Sequence, residues 1–331
     1  MATEGGHGAG RPAPHRRRRL ARFAADVVPM SLRRLLPPLL ATLLLAACAP
    51  AVRRPPAPTP SPLPPLRIGL ALGGGAAKGF AHIGVIKMLE ANGIRIDVVA
   101  GTSAGSVVGA LYAGGMDGFA LQQAALALDE SSLRDVRLFS GGLVRGQALQ
   151  DYINTQLDHT PIERLKKPFA AVATELENGQ RTVFTRGNTG EAVRASCSIP
   201  GVFEPTAIGL RHYVDGGVTS PVPVDAARQL GADVVIAVDI SSKADGRNPE
   251  GMVDIVNQSI SIMGQTLGAQ ELARADVVIR PQVAGIGATD FAQKQQAILA
   301  GEQAAVAALP TIHARLAAVR QARARAAALA P

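Results

Sequence analysis

The chain has 331 residues, 47% hydrophobic and 18% charged, which is enough apolar side chain for a sizeable core and excludes disorder throughout. Two cysteines, Cys48 and Cys197, exclude a disulfide-dense scaffold and a zinc site made of cysteine alone. The net charge of +8 invites a nucleic-acid partner, but residues 1–47 hold eight arginines against Glu4 and Asp26, leaving 26 basic against 24 acidic side chains in the rest. With no Trp and 3% aromatics, platforms for stacking bases are scarce, and no nucleic acid is expected.

Residues 1–47 read as a signal segment. Leu35 to Ala47 is an uncharged run of thirteen residues, short of the ~20 needed to span a membrane and suited to the apolar part of a signal peptide. Arg33 and Arg34 precede it, and Met30 offers a start besides Met1. Leu45-Ala46-Ala47-Cys48 resembles the lipobox of bacterial lipoproteins at all four positions. That resemblance implies that Cys48 is lipidated, becomes the first mature residue and anchors the chain in the cell envelope. Ala49 in the next position, rather than Asp, points to the outer membrane, facing the periplasm. Residues 48–65 form a tether. Eight prolines within 49–65 favour polyproline II. At ~3.1 Å per residue the tether reaches roughly 50 Å. With Cys48 carrying lipid, Cys197 has no cysteine left to pair with.

The expected folded domain covers residues 66–310. Arg67–Leu72 predicts a strand, Gly73–Gly79 a glycine loop, and Phe80, Ile83, Ile86 and Leu89 a helix closed by Asn92-Gly93. Ile96–Ala100 predicts a second strand, followed by Gly101-Thr102-Ser103-Ala104-Gly105 and a small-residue helix to about Ala113. Between Asp117 and Lys167 the strand signal fades and the pattern is mostly helical, as for a cap or an insertion over the sheet edge. Phe169–Thr174 and Arg181–Thr185 predict a hairpin around Glu177-Asn178-Gly179. Val224–Leu230 predicts a helix, Val234–Val238 a buried strand and Asp276–Ile279 another. Residues 311–331 form an Ala/Arg-rich C-terminal segment, helical from about Ile312 to Leu329. Uninterrupted apolar strands alternating with helices imply an α/β fold with a mainly parallel sheet covered on both faces.

The chemistry gathers at three places. A serine between two glycines, after a strand and before a helix, is the pattern of a nucleophile elbow. Ser103 occupies that position, with Gly101 and Gly105 removing β-carbons that would clash in the tight turn. Gly73-Gly74-Gly75-Ala76-Ala77-Lys78-Gly79 lacks the Gly-Lys-Ser/Thr ending of a Walker A loop and fits neither frame of the dinucleotide fingerprint. Such a loop can instead bring backbone N–H groups close to a substrate oxyanion. The serine needs a base. His7 and His15 lie in the signal segment, and His82, His159, His212 and His313 are poorly placed by chain order or context, so a carboxylate is sought. Asp215, before Gly216-Gly217, is the best candidate; Asp239 also ends a strand and competes with it on local pattern. Neither paired cysteines nor His-Glu-x-x-His occurs, so no metal and no cofactor is expected.

Taken in order, the glycine loop running into Phe80-Ala81-His82-Ile83-Gly84-Val85, the elbow and Asp215-Gly216-Gly217 resemble the three motifs of patatin-like phospholipases, in particular the bacterial branch related to neuropathy target esterase. Ala195–Pro205 and Pro221–Ile240 resemble that branch as well, so that about residues 67–240 are covered. The resemblance implies a three-layer α/β/α sandwich. It implies a dyad with Ser103 as nucleophile and Asp215 as base, and leaves Asp239 a structural role. It places the oxyanion hole at the N–H groups of Gly74, Gly75 and Ala76, supported by Gly73, Lys78, Gly79, Gly101, Gly105, Gly216 and Gly217. Two positions depart from the common pattern: Ala76 stands where a fourth glycine is frequent, and Lys78 where arginine is. The implied function is hydrolysis of fatty-acyl esters of membrane phospholipids or lysophospholipids, for which the apolar stretches Leu121–Leu128 and Leu138–Val144 are candidates to line the acyl pocket or else plain core. A general esterase or thioesterase, and a non-catalytic lipid-binding lipoprotein, are the competing readings.

Overall fold

The computed structural model describes residues 63–128, 144–241 and 251–329; the signal segment, Cys48, the tether up to Pro62 and residues 138–143 lie outside them. The described strands are β1 (Ile68–Leu72), β2 (Val98–Thr102), β3 (Phe169–Glu175), β4 (Arg181–Phe184), β5 (Thr206–Ile208), β6 (Arg211–Asp215), β7 (Val234–Val238) and β8 (Val277–Ile279). The helices are α1 (Phe80–Ala91), α2 (Ala104–Gly114), α3 (Gly118–Ala127), α4 (Gln147–Gln156), α5 (Thr189–Ser196), α6 (Val224–Gln229), α7 (Met252–Leu272) and α8 (Lys294–Leu329).

The strands form one sheet, hydrogen-bonded along the path β5-β6-β3-β2-β1-β7-β8, with β6 and β2 following one another along one edge of β3 and β4 on its other edge. Pairings among β3, β2, β1, β7 and β8 are parallel, whereas β4, β5 and β6 pair antiparallel. Successive side chains point to opposite faces. Leu70, Leu72, Val99 and Ile236 therefore join a core with α1, α2 and α8, while Ala71, Val98, Ala100 and Val235 meet Val224, Ala226 and Ala227 of α6 and Leu272 of α7 on the other face. The three layers follow from that alternation: both faces of the parallel strands are apolar, and each needs a helical cover.

Strand β3 sets the position of the site. Thr102 of β2 lies opposite Val172, and Asp215 of β6 lies opposite the next residue, Ala173. Strand β4 pairs with Ala171–Thr174 of β3, overlapping both the β2 partners (Phe169–Val172) and the β6 partners (Ala173–Glu175), so β2 and β6 share the opposite edge. The end of β2 and the end of β6 therefore meet on one edge of β3.

Two predicted boundaries move. Strand β2 begins at Val98 and runs through Thr102, because Ile94 and Ile96 fill the core from the connection before it. The helix predicted from Ile312 begins already at Lys294 and passes through Pro310. Its first half lies on α1 at a glycine crossing: a β-carbon on Gly84 would fall 1.9 Å from the Ile298 carbonyl oxygen, and one on Gly301 2.0 Å from that of Ala81. Ile312 and Leu316 are buried as well, so α8 belongs to the body along much of its length.

Candidate active site

Ser103 leaves β2 with φ 53° and ψ −127°, a left-handed turn that a non-glycine residue adopts only under strain. Its neighbours explain why the turn is possible. A β-carbon on Gly101 would lie 2.3 Å from the Gly105 carbonyl oxygen, and one on Gly105 2.1 Å from that of Leu72. Three hydrogen bonds then fix the elbow. Ser103 N–H donates to Ser196 Oγ (2.9 Å), whose hydroxyl donates to the Val172 carbonyl (2.6 Å), and Thr102 Oγ1 donates to the Ser220 carbonyl (2.8 Å).

The glycine loop lies directly against this turn: a β-carbon on Gly74 would be 3.2 Å from Ser103 Cβ. Gly73 N–H donates to the Val238 carbonyl and Gly74 N–H to that of Pro221, each at 3.0 Å. Of the three donors expected for the oxyanion hole, Gly74 N–H is therefore already used. Gly75 and Ala76 N–H have no acceptor among the described residues. Gly75 has no room for a side chain, with Ile240 atoms 2.8–2.9 Å from its missing β-carbon, and Ala76 sits at φ 50° where glycine would be unstrained. Lys78 is buried, and Gly79 packs where a β-carbon would lie 2.6 Å from Ala104 Cβ. Beneath the loop, His82 is fully buried with Nε2 2.8 Å from the Gly73 carbonyl oxygen. Burial lowers its pKa to about 4, so it is neutral and donates through Nε2.

Asp215 ends β6. Its backbone N–H donates to the Ser198 carbonyl (2.8 Å), and its Oδ1 accepts from Gly217 N–H (2.7 Å). A β-carbon on Gly216 would fall 2.1 Å from the Val172 carbonyl oxygen, so glycine is required for the turn to follow β3 so closely. Oδ2 is buried with no hydrogen-bond partner among the described residues. Burial raises the pKa of Asp215 to about 6, with the Ser103 hydroxyl and Gly217 N–H pulling the other way. The Ser103 hydroxyl thus lies beside the carboxylate without closing an ordinary hydrogen bond to Oδ2. Cys197 borders the same space, its Sγ 3.8 Å from Ser106 Oγ, and burial pushes its thiol well above the usual range.

The remaining candidates are engaged elsewhere. Asp239 accepts from Ser241 N–H and Oγ and lies 3.4 Å from Arg280 Nε. His212 is exposed and pairs with Glu177 at 2.8 Å; His159 and His313 are also exposed. The apolar residues of 121–128 do not form a wall beside Ser103: Leu121 and Ala125 pack into the core under α1, where α3 also meets α8. Of the second stretch only Val144 is described, bridged to Phe203. The sequence reading missed Ser196, Ser220 and His82 as supports of the site. Ser196 and His82 lay inside stretches quoted for the family resemblance, and their residue types alone gave no sign of their contacts.

Residues 70–228 match the family model described as patatin-like phospholipase. An uncharacterised NTE family protein of Mycobacterium bovis is 38% identical over 183 residues, 54% of this chain and 51% of its own. The lysophospholipase NTE1 of Pyricularia oryzae is 35% identical over 184 residues, 54% of this chain and 12% of its own. VipD from Legionella pneumophila shares the fold, with a TM-score of 0.51 at 15% identity over 75% of this chain and 67% of its own. The chain spans about half the length of the mycobacterial relative.

Proposed function

We propose, from the match of residues 70–228 to the patatin-like phospholipase model, that the chain is a serine acyl hydrolase acting on phospholipid or lysophospholipid esters. The observation that carries the reading is the meeting of three features: a strained Ser103, the unpartnered Oδ2 of Asp215 and two unused N–H groups at Gly75 and Ala76. Asp215 takes the Ser103 hydroxyl proton as Oγ attacks the ester carbonyl carbon. Gly75 and Ala76 N–H donate to the oxyanion, with the N-terminus of α2 adding its partial positive charge. The tetrahedral intermediate expels the alcohol, which receives the proton from Asp215, and leaves Ser103 acylated. Water then gives a proton to Asp215, attacks the acyl carbon and releases the fatty acid, and Ser103 regains the proton.

A lipid ester is favoured by the name of the fungal relative, a lysophospholipase, and by the surface beside the site. Helix α7 passes over the Gly216–Val218 turn and exposes Met252, Ile255, Ile262 and Met263. Lipidation at Cys48 would hold the enzyme at the outer membrane within reach of such a substrate. The test is release of free fatty acid from lysophospholipid and diacyl phospholipid vesicles by the full-length chain, beside p-nitrophenyl esters and Ser103→Ala. Acid release from lipid that Ser103→Ala abolishes supports the reading. Turnover of p-nitrophenyl esters alone would make it a general esterase, and no turnover of any ester would remove the hydrolase reading.

A further inference from the structure

We propose that Glu271, beyond the family-matched segment and outside every motif read from the sequence, is a positioning residue that holds the three parts of this site together; the proposal rests on the hydrolase reading above. Glu271 lies in the last turn of α7 and is 4% exposed. Its two carboxylate oxygens serve one short segment: Oε1 accepts from the Ser220 hydroxyl (2.5 Å) and Oε2 from Val222 N–H (2.8 Å).

That segment touches every part of the site through its own backbone. The Ser220 carbonyl accepts from Thr102 Oγ1, next to the nucleophile, at 2.8 Å. The Pro221 carbonyl accepts from Gly74 N–H, in the oxyanion loop, at 3.0 Å. Ser220 N–H donates to the Gly216 carbonyl, in the turn after Asp215, at 2.8 Å. A shift of residues 220–222 would therefore move the elbow, the loop and the Asp215 turn relative to one another.

A buried carboxylate is a costly way merely to fill space. Arg181 Nη1 lies 3.8 Å from Oε1, beyond hydrogen-bond distance, and burial works against the charge of Glu271. Two charge-assisted hydrogen bonds offset part of that cost and give fixed directions, which an apolar side chain could not supply. Geometry at this precision matters, since a displacement of ~1 Å in a catalytic constellation costs about 100-fold in rate.

The experiment compares full-length wild type with Glu271→Gln, Ser220→Ala and the double variant. The readouts are the rate of fluorophosphonate labelling, kcat and KM on a p-nitrophenyl ester, and Tm. In Glu271→Gln one oxygen becomes an NH2 that cannot accept, which forces the Ser220 hydroxyl to turn and accept while the amide oxygen keeps Val222 N–H. Both charge-assisted bonds become neutral, so labelling and kcat should fall about 10-fold with KM within about twofold. Ser220→Ala removes one contact and keeps the backbone ones, so it should show a smaller loss in the same readouts. Because both act through one contact, the double variant should lose less than the product of the single losses. A structural role alone would lower Tm without the selective loss of kcat. Folded variants that label and turn over like wild type, or losses that multiply fully, overturn the positioning role while leaving the hydrolase intact. Should Glu271→Gln fail to fold, Ser220→Ala decides by the same criterion. Wild type that takes no label overturns the hydrolase reading and this proposal with it.

Discussion

Asp215→Asn separates what the fold tolerates from what the proposed chemistry needs. Burial holds this carboxyl group at a pKa of about 6 against the ordinary 3.8. An unfolded chain releases that proton near 3.8 and the folded chain only near 6. Between those values the unfolded state binds fewer protons, so the fold loses stability as pH rises. The loss is complete above about pH 6 and amounts to about 3 kcal/mol at most, at ~1.4 kcal/mol per pH unit. Asparagine has no charge to desolvate and keeps an oxygen for Gly217 N–H. The variant should gain about 1–3 kcal/mol at pH 8, a rise of about 3–9 °C in Tm, and little at pH 4. Its labelling by fluorophosphonate should fall about 100-fold or more, because the base is gone. Thermal unfolding of both full-length chains at the two pH values, with labelling rates at pH 8, reads all of this. A variant less stable than wild type at pH 8, or shifted equally at both values, would refute the reasoning about the buried carboxylate.

In wild type, kcat/KM for a p-nitrophenyl ester should rise with pH through about 6 and level off above, as Asp215 ionises; a profile flat from pH 5 to 8 would contradict its assignment as base. Gly105→Ala places a β-carbon 2.1 Å from the Leu72 carbonyl oxygen and 2.8 Å from that of Gly73. It should cost more than about 2 kcal/mol in denaturant unfolding and abolish labelling. Ala76→Gly relieves a left-handed alanine at φ 50° and should keep activity while raising stability by up to about 1 kcal/mol, measured by Tm.

The elements nearest the chemistry were legible because their signals are local. The apolar run 234–238, the hairpin at 169–185 and the glycines around Ser103 each announce themselves within a few residues. The choice between Asp215 and Asp239 was not local. Both end strands, and only the pairing of Asp215 with Ala173, beside Val172 opposite Thr102, brings one of them to the elbow. The supports of the site were illegible for the same reason. Ser196 reaches Ser103 across 93 positions and Glu271 reaches Ser220 across 51, and neither residue type stands out in its own segment. The donors of the glycine loop could not be ranked from sequence, because the acceptor that occupies Gly74 is a carbonyl on Pro221. The early start of α8 was hidden because Pro310 stands inside it and because its closest approach to α1 is made by Gly301 against Ala81, which carries no hydropathy signal.

The most direct measurement is the intact mass of the full-length chain after fluorophosphonate treatment, beside Ser103→Ala. An activated Ser103 predicts one adduct on wild type and none on the variant. An unlabelled wild type, with and without detergent or lipid, or an adduct that persists in Ser103→Ala, would contradict the assignment of Ser103 as nucleophile.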